Sequence, residues 1–277
     1  MCSSDLSRTS GLVGVASGDD DDASMEKGAW ISGFIAQGKD RGDNGYKSNS
    51  QGGTIGFDVD VKDNVTLGLA YSKVFAKIKP TDKEMSSSNI NVDALSFYAQ
   101  IEMDKFISES VLSVSRSKGK LKSTGYNAET SMSYIGKLSD NLVLMPFASI
   151  GYMHNNYKAY QDNGADISSS SSAFFNKKIG VKILAPMNFE SVKVVPSLKA
   201  SVSHASNLKR AKDQKINIHY QGKDYSENMN DKSSVSYNLG AGVLVKRNNI
   251  ELQATYDCTL KSKYSNHQGA LKLRVNL

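Results

Sequence analysis

The chain's reactive side chains are four histidines, two cysteines and 28 acidic against 34 basic residues, and their spacing limits what they can do. His154, His204, His219 and His267 stand singly, with no interval that would place two imidazoles on one metal. Cys2 and Cys258 make neither a ligand cluster nor a disulfide framework. Cys258 falls in an alternating segment where it suits an apolar face as a small hydrophobe. Serines are plentiful, but none occupies a Gly-x-Ser-x-Gly elbow. Asp19 to Asp22 gather four carboxylates without the spaced oxygens and turn glycine of a calcium loop, so a solvated charge run is expected there. No catalytic, cofactor or metal site is expected.

The charges instead follow an alternation. The final stretch, Gly269 to Leu277 (GALKLRVNL), sets Leu271, Leu273, Val275 and Leu277 against Ala270, Lys272, Arg274 and Asn276. Successive side chains of a strand point to opposite faces, so this strand has one apolar and one charged face. The same period returns along the chain, between turns rich in Gly, Asn, Asp and Ser.

From Gly28 the segments are Gly28 to Gln37, Gly52 to Asp60, Val65 to Ser72, Ile90 to Met103, Phe106 to Ser117 and Asn127 to Leu138. They continue with Leu142 to Asn155, Phe174 to Leu184, Ser191 to His204, Val235 to Lys246, Ile250 to Leu260 and a terminal strand from about Tyr264. That makes twelve. Short turns at Lys62-Asp63-Asn64, Met103-Asp104-Lys105, Ser139-Asp140-Asn141, Met187-Asn188-Phe189 and Arg247-Asn248-Asn249 alternate with longer polar loops, of which Tyr157 to Ser172 and Asn207 to Asp231 are the longest. Only Ile90 to Met103 loses phase, around Ala94 and Leu95, which predicts a bulge.

Composition narrows the class. No apolar run approaches the roughly 18–20 residues of a membrane-spanning helix. Leu142 to Met153 is the nearest, and it carries Pro146. The net charge of +6 is spread over polar strand faces, with no basic helix or aromatic–basic signature, so nucleic-acid binding is not expected. A barrel strand needs only about 9–11 residues, half of them polar, so a modest hydropathy is compatible with a membrane.

A soluble β-sandwich would alternate as well. Two features favour a membrane barrel. Lys182, Lys199, Glu251 and Lys272 lie at mid-strand on polar faces, as a wet lumen tolerates. The opposite faces are runs of Val, Leu, Ile and Ala with aromatics near their ends, and Trp30, Tyr71, Tyr237 and Tyr256 (with Phe34) are expected at the membrane interfaces. In this register Leu239 faces lipid and Asn238 the lumen. The expected fold is an all-β, twelve-stranded antiparallel transmembrane β-barrel over residues 28–277, preceded by a linker or lumenal helix and an acidic segment in 1–27. A plain outer-membrane pore and a soluble binding module are the alternatives. The opening MCSSDL is neither a secretory leader nor a lipoprotein signal, so a piece of a longer exported protein is expected.

The run from Trp30 to Leu277 resembles the translocator domain of bacterial autotransporters (type V secretion), most of all rickettsial-type surface antigens. The resemblance is carried by the acidic linker before Gly-x-Trp (VASGDDDDASMEKGAW), the strands VLMPFASIGY, SYNLGAGVLV and IELQATYDC, and the ending GALKLRVNL. It implies a monomeric barrel in the outer membrane, inserted with the barrel-assembly machinery, that exports and anchors an N-terminal passenger through a linker in its lumen. It also implies that Leu273, Val275 and Leu277 form the C-terminal assembly signal, although that family usually ends in Phe where this chain has Leu277. Some members cut their own linker with buried acidic groups. Glu251 and Asp257 share a polar face here, but pairing with lumenal Lys or Arg is the preferred role for them. Lys182, Lys199, Lys272 and Arg274 are expected to line the lumen and contact the linker.

Overall fold

The computed structural model describes residues 27–42, 45–82, 87–119, 122–162, 165–208, 215–220, 223–228 and 234–277. The acidic block Asp19 to Asp22, Cys2 and the rest of the expected linker lie outside the described residues. In chain order the strands are β1 (Lys27–Asp40), β2 (Tyr46–Lys62), β3 (Val65–Pro80), β4 (Ser88–Met103), β5 (Phe106–Gly119), β6 (Ser123–Tyr134), β7 (Gly136–Ser139), β8 (Leu142–Tyr157), β9 (Tyr160–Asp162), β10 (Ala165–Ile167), β11 (Ser170–Leu184), β12 (Met187–Phe189), β13 (Val192–Asn207), β14 (Lys215–Tyr220), β15 (Lys223–Asn228), β16 (Ser234–Arg247), β17 (Ile250–Lys261) and β18 (Tyr264–Asn276).

Fourteen of these segments form one antiparallel sheet that closes on itself, with β18 paired to β1 from Asn276↔Gly28 to Tyr264↔Asp40. They make twelve staves, because β6 with β7 and β11 with β12 are each one stave interrupted once. Closure leaves no edge strand, which matters in lipid because an unpaired backbone group there has no water to bond.

The interruption between β11 and β12 has a local cause. Pro186 lies between β11 and β12 and brings no N–H to the ladder. Opposite it, Pro196 of β13 also lacks a donor, and its carbonyl accepts from Ala185 N–H at 3.0 Å. Two prolines thus face one gap. As a consequence Met187-Asn188-Phe189, expected to be a turn, is strand β12, and the chain reverses at Glu190 with φ 45. The proline mimics a strand end in the sequence.

The expected bulge in β4 is absent. Its pairings with β3 and β5 run without a shift from Ile101↔Val65 to Ser88↔Ile78 and from Met103↔Phe106 to Ile90↔Gly119. What changes at Asp93 is polarity. Toward the turn end Leu95, Phe97 and Ile101 point outward, whereas toward the loop end Asn89, Asn91 and Asp93 occupy that face. Neighbouring strands change alike, at Gln37 on β1, Gln51 on β2, Lys77 on β3 (past Lys73 and outward Phe75) and Arg116 on β5. An outer face that passes from apolar to polar along an unbroken strand marks the edge of the lipid band.

The two longest loops also hold structure that their polar composition concealed. Strands β9, β10, β14 and β15 pair in the order β15-β14-β10-β9, joining the β8–β11 connection to the β13–β16 connection. His219, expected in a loop, lies on β14 opposite Asp166.

Candidate functional site: the lumen and the closing seam

Each stave sends alternate residues inward, and these include the six expected lumenal charges. Glu251, Lys272 and Arg274 are buried on the inner face near the turn end, while Lys182, Lys199 and Asp257 lie partly exposed further along it. The side chains fall into two groups, one at the closing seam near the turn end and one further along the lumen.

The first group sits on the seam where β18 meets β1. The Arg274 guanidinium crosses β1 and grips Asp58 of β2 with two parallel bonds, Nη1–H to Oδ2 at 2.7 Å and Nη2–H to Oδ1 at 2.5 Å. Both side chains are only 1–2 % exposed. Tyr98 O–H of β4 donates to the same carboxylate at 2.6 Å, and Trp30 Nε1–H donates to the Tyr98 oxygen at 2.9 Å. Lys272 Nζ lies 4.4 Å from the centre of the Trp30 ring, a cation–π contact. Arg274 Nε–H also reaches Asn276, which donates to Glu251, and Glu251 lies 3.7 Å from Lys246 Nζ.

Glycines make the room. A Cβ on Gly28 would overlap the Arg274 guanidinium, one on Gly56 the Trp30 indole, and one on Gly68 the Tyr98 ring. Each large side chain lies over a glycine of a neighbouring strand. Trp30, expected at the membrane interface, is therefore an inward residue with 4 % exposure, because its even position in β1 shares the lumenal face with Gly28 and Ser32. Phe34 shares that face too. Tyr71, Tyr237 and Tyr256 do point outward, with Tyr71 O–H donating to Asp93 at 2.7 Å and the Tyr256 hydroxyl 2.8 Å from His267 Nδ1.

The second group lies further along the lumen and spans β5, β6, β8, β11, β13 and β17. Lys178 of β11 pairs with Glu129 of β6 at 3.4 Å, and Glu129 also accepts from Ser149. Ser131 donates to Glu109 at 3.4 Å. Lys182 lies in the fields of Glu109, Asp257 and Lys199, and Asp257 in those of Lys178, Lys182 and Lys199. Lys199 Nζ stands 5.6 Å from the Phe147 ring centre. Turnward of this group the inner wall is apolar, with Ile107, Ile135, Val143, Met145, Leu184, Val195 and Leu244 packed together.

Glu251 and Asp257 are thus held in separate groups. Six residues apart on one strand, they stand about 20 Å from each other, which is too far for two carboxylates to act as a pair. Among the described residues no cluster of His, Cys, Asp and Glu has a metal-binding arrangement. Asp58, Tyr98 and Glu109 were missed from sequence, and Glu129 and Lys178, though on polar strand faces, were not among the expected site residues. Asp58 had a signal, being flanked by outward Phe57 and Val59, whereas adjacent Phe97 and Tyr98 gave no parity. At the end of β18, Leu273 and Val275 point outward, and Leu277 beyond them is 71 % exposed while its N–H bonds Lys27 O at 2.7 Å.

The family model described as the autotransporter beta-domain matches residues 29–257. Outer membrane protein A of Rickettsia conorii is 29% identical over 301 residues, covering 96% of this chain and 15% of that protein. Outer membrane protein B of Rickettsia prowazekii is 26% identical over 305 residues, covering 97% of this chain and 18% of its own length. The chain thus spans under a fifth of these curated relatives. Among solved structures, the beta domain of the Bordetella autotransporter BrkA superposes with a TM-score of 0.73 at 14% identity, covering 92% of this chain and 100% of that one. The translocator domain of NalP from Neisseria meningitidis gives 0.65 at 15%, covering 98% and 95%. At those identities the superpositions speak for the twelve-stranded barrel alone. With the family model matching most of its length, the chain belongs to the autotransporter beta-domain family and is an outer-membrane β-barrel.

Proposed function

We propose that this barrel translocates and then anchors a passenger joined to its N-terminal side, with the residues before Lys27 as the linker that occupies the lumen. The observation that carries this is the placement of the barrel's two ends. Lys27 and Leu277 are hydrogen-bonded neighbours at the turn end. A chain leading into Lys27 therefore arrives at the periplasmic mouth, and its route to the surface is the lumen. The interior supports passage of an extended polypeptide: hydroxyls, glycines and balanced charges give a moving backbone many weak partners. Lys182 and Lys199, partly exposed on the inner face, would attract an acidic linker, which Asp19 to Asp22 supply, whereas Arg274 is already held by Asp58 and Lys272 lies buried against Trp30. The barrel completes its sheet within one chain and so needs no second copy to close, which supports a monomer, and the outward stripe Leu273, Val275 and Leu277 addresses it to the assembly machinery. None of this needs a catalytic group.

The test is surface display. A small soluble domain fused ahead of residue 1 is expected to be cut by protease added to intact cells. A fusion protected in intact cells but cut after outer-membrane rupture would reject translocation, and a steady ion conductance in that case would favour a plain pore.

A further inference from the structure

Beyond the lipid band, the outward face of β1 to β5 carries cations with almost no counter-charge. Lys39 pairs opposite Lys47, and Lys47 opposite Lys79, so three lysines stand side by side on three adjacent strands, all exposed. Like charges directly opposite in a sheet repel. Among the described residues no carboxylate is paired with any of them. Lys77 and Lys73 continue the patch toward the membrane on β3, and Arg116 and Lys118 extend it to β5. The one carboxylate on this stretch, Asp93, is engaged by Lys118 at 3.1 Å and by Tyr71.

Directly membraneward lies a groove of about 720 Å³ in the lipid-facing surface of β18, β1 and β2. Its floor is Gly269, Gly33 and Gly53; an added Cβ at Gly269 would meet nothing within 4 Å. Ile35, Leu271 and Phe75 form its sides, and the Lys73 ammonium stands 5.7 Å from the Phe75 ring centre at its mouth.

We propose that this surface is a binding site for a phosphate-bearing lipid of the outer leaflet, with an acyl chain in the glycine groove and its anionic headgroup on the lysine patch. Lys73 and Lys77 take the phosphate nearest the acyl chains, and the row Lys39, Lys47 and Lys79 takes charge further out. Depth favours a lipid over a soluble anion or a protein. The cations begin where the outer face stops being apolar, at the height of headgroups, and they run without a break into a surface that already faces acyl chains. The bound headgroup would offset the repulsion within the row. The proposal rests on the barrel's membrane placement and not on passenger export.

The experiment uses the full chain refolded in nonionic detergent, with diphosphorylated lipid A as the probe and native mass spectrometry as the readout. Wild type is expected to retain one lipid. Lys39→Gln/Lys47→Gln/Lys79→Gln should lower retention at least about tenfold, even after screening by salt is allowed for. Gly269→Leu, which fills open space, should lower retention while the barrel keeps its heat-dependent gel mobility. Dephosphorylated lipid A should be lost from wild type, and excess inorganic phosphate should leave the diphosphorylated lipid bound. Equal retention by the triple variant or of the dephosphorylated lipid would overturn the proposal. Displacement by inorganic phosphate alone would also overturn it, in favour of a simple anion site. Because only lipid retention is read, this test can fail while surface display succeeds, and the reverse.

Discussion

Arg274 and Asp58 are 216 residues apart in the chain, yet their side chains meet across an intervening strand in a two-toothed, nearly fully buried contact. Between them runs β1, whose Gly28 leaves the guanidinium a path. The contact therefore ties the last strand to the second over the first, at the one place where the barrel's two ends are joined. Backbone pairing already sets β18, β1 and β2 side by side; the ion pair adds a side-chain tie across all three. Removing one partner strands a buried charge. Arg274→Ala is expected to destabilise the barrel by about 3–5 kcal/mol in denaturant unfolding from lipid vesicles. Arg274→Met with Asp58→Leu removes both charges and should cost less than Arg274→Ala alone. If the double variant proves the weaker, the pair stabilises beyond what an apolar replacement of similar size can supply.

Trp30 is the chain's single tryptophan, so its surroundings can be read without mutation. An inward indole bonded to Tyr98 should resist quenching by brominated lipids, whereas a girdle tryptophan would be strongly quenched. Gly56→Ala places a methyl inside the indole's space and should cost about 1–3 kcal/mol, shifting the emission of Trp30 as it leaves Tyr98. Strong lipid quenching in the wild type would reverse the assignment of the β1 faces.

Leu239 and Asn238 test register in the same way on β16. Leu239 is exposed on the outer face, while Asn238 faces inward, donating to Ser203 and accepting from Thr259. Leu239→Arg should cost roughly 2–4 kcal/mol near the bilayer midplane. Asn238→Arg gives up two hydrogen bonds in a wet lumen and should cost about 1 kcal/mol. Equal losses in unfolding experiments would reject the orientation of this strand.

The alternation of residues such as Ile250, Leu252 and Tyr256 against Glu251 and Asp257 made strand, face and stave number legible, because a lipid-facing strand obeys one simple rule over its whole length. The rule misled where it stopped applying. Beyond the lipid band the outer face of β4 turns polar, and this produced a false bulge at Ala94 and Leu95 with no change in geometry. Trp30 misled for a different reason. Aromatics are common both in girdles and over lumenal glycines, and only parity, counted from neighbours as small as Gly28 and Ser32, separates the two. The Arg274–Asp58 pair was illegible because it joins strands through closure of the sheet, a relationship that no local window contains. The sheet of β9, β10, β14 and β15 escaped notice because its strands are only 3 to 6 residues long and set within polar loops, so that even the alternation of Ile216 and Ile218 on β14 is too brief to reveal it.

Leu277 allows recognition to be separated from stability. Its backbone N–H holds Lys27 O, a contact any residue but proline would keep, whereas its side chain points away from the protein and is largely exposed. Substituting that side chain should therefore scarcely alter the folded barrel. Leu277→Asp is expected to refold in detergent with about the wild-type unfolding midpoint, within roughly 0.5 kcal/mol as for surface changes elsewhere. In cells the same variant should place less barrel in the outer membrane, because an apolar outward stripe ending in a charge presents a poorer surface to the assembly machinery. Leu277→Phe should raise insertion, since a larger apolar surface is offered at the same point. The measurement is the amount of heat-modifiable barrel in isolated outer membranes, set against the refolding yield of the same proteins in vitro. A matching loss in both would make Leu277 a stabilising residue, and no loss in either would remove the terminal side chain from assembly.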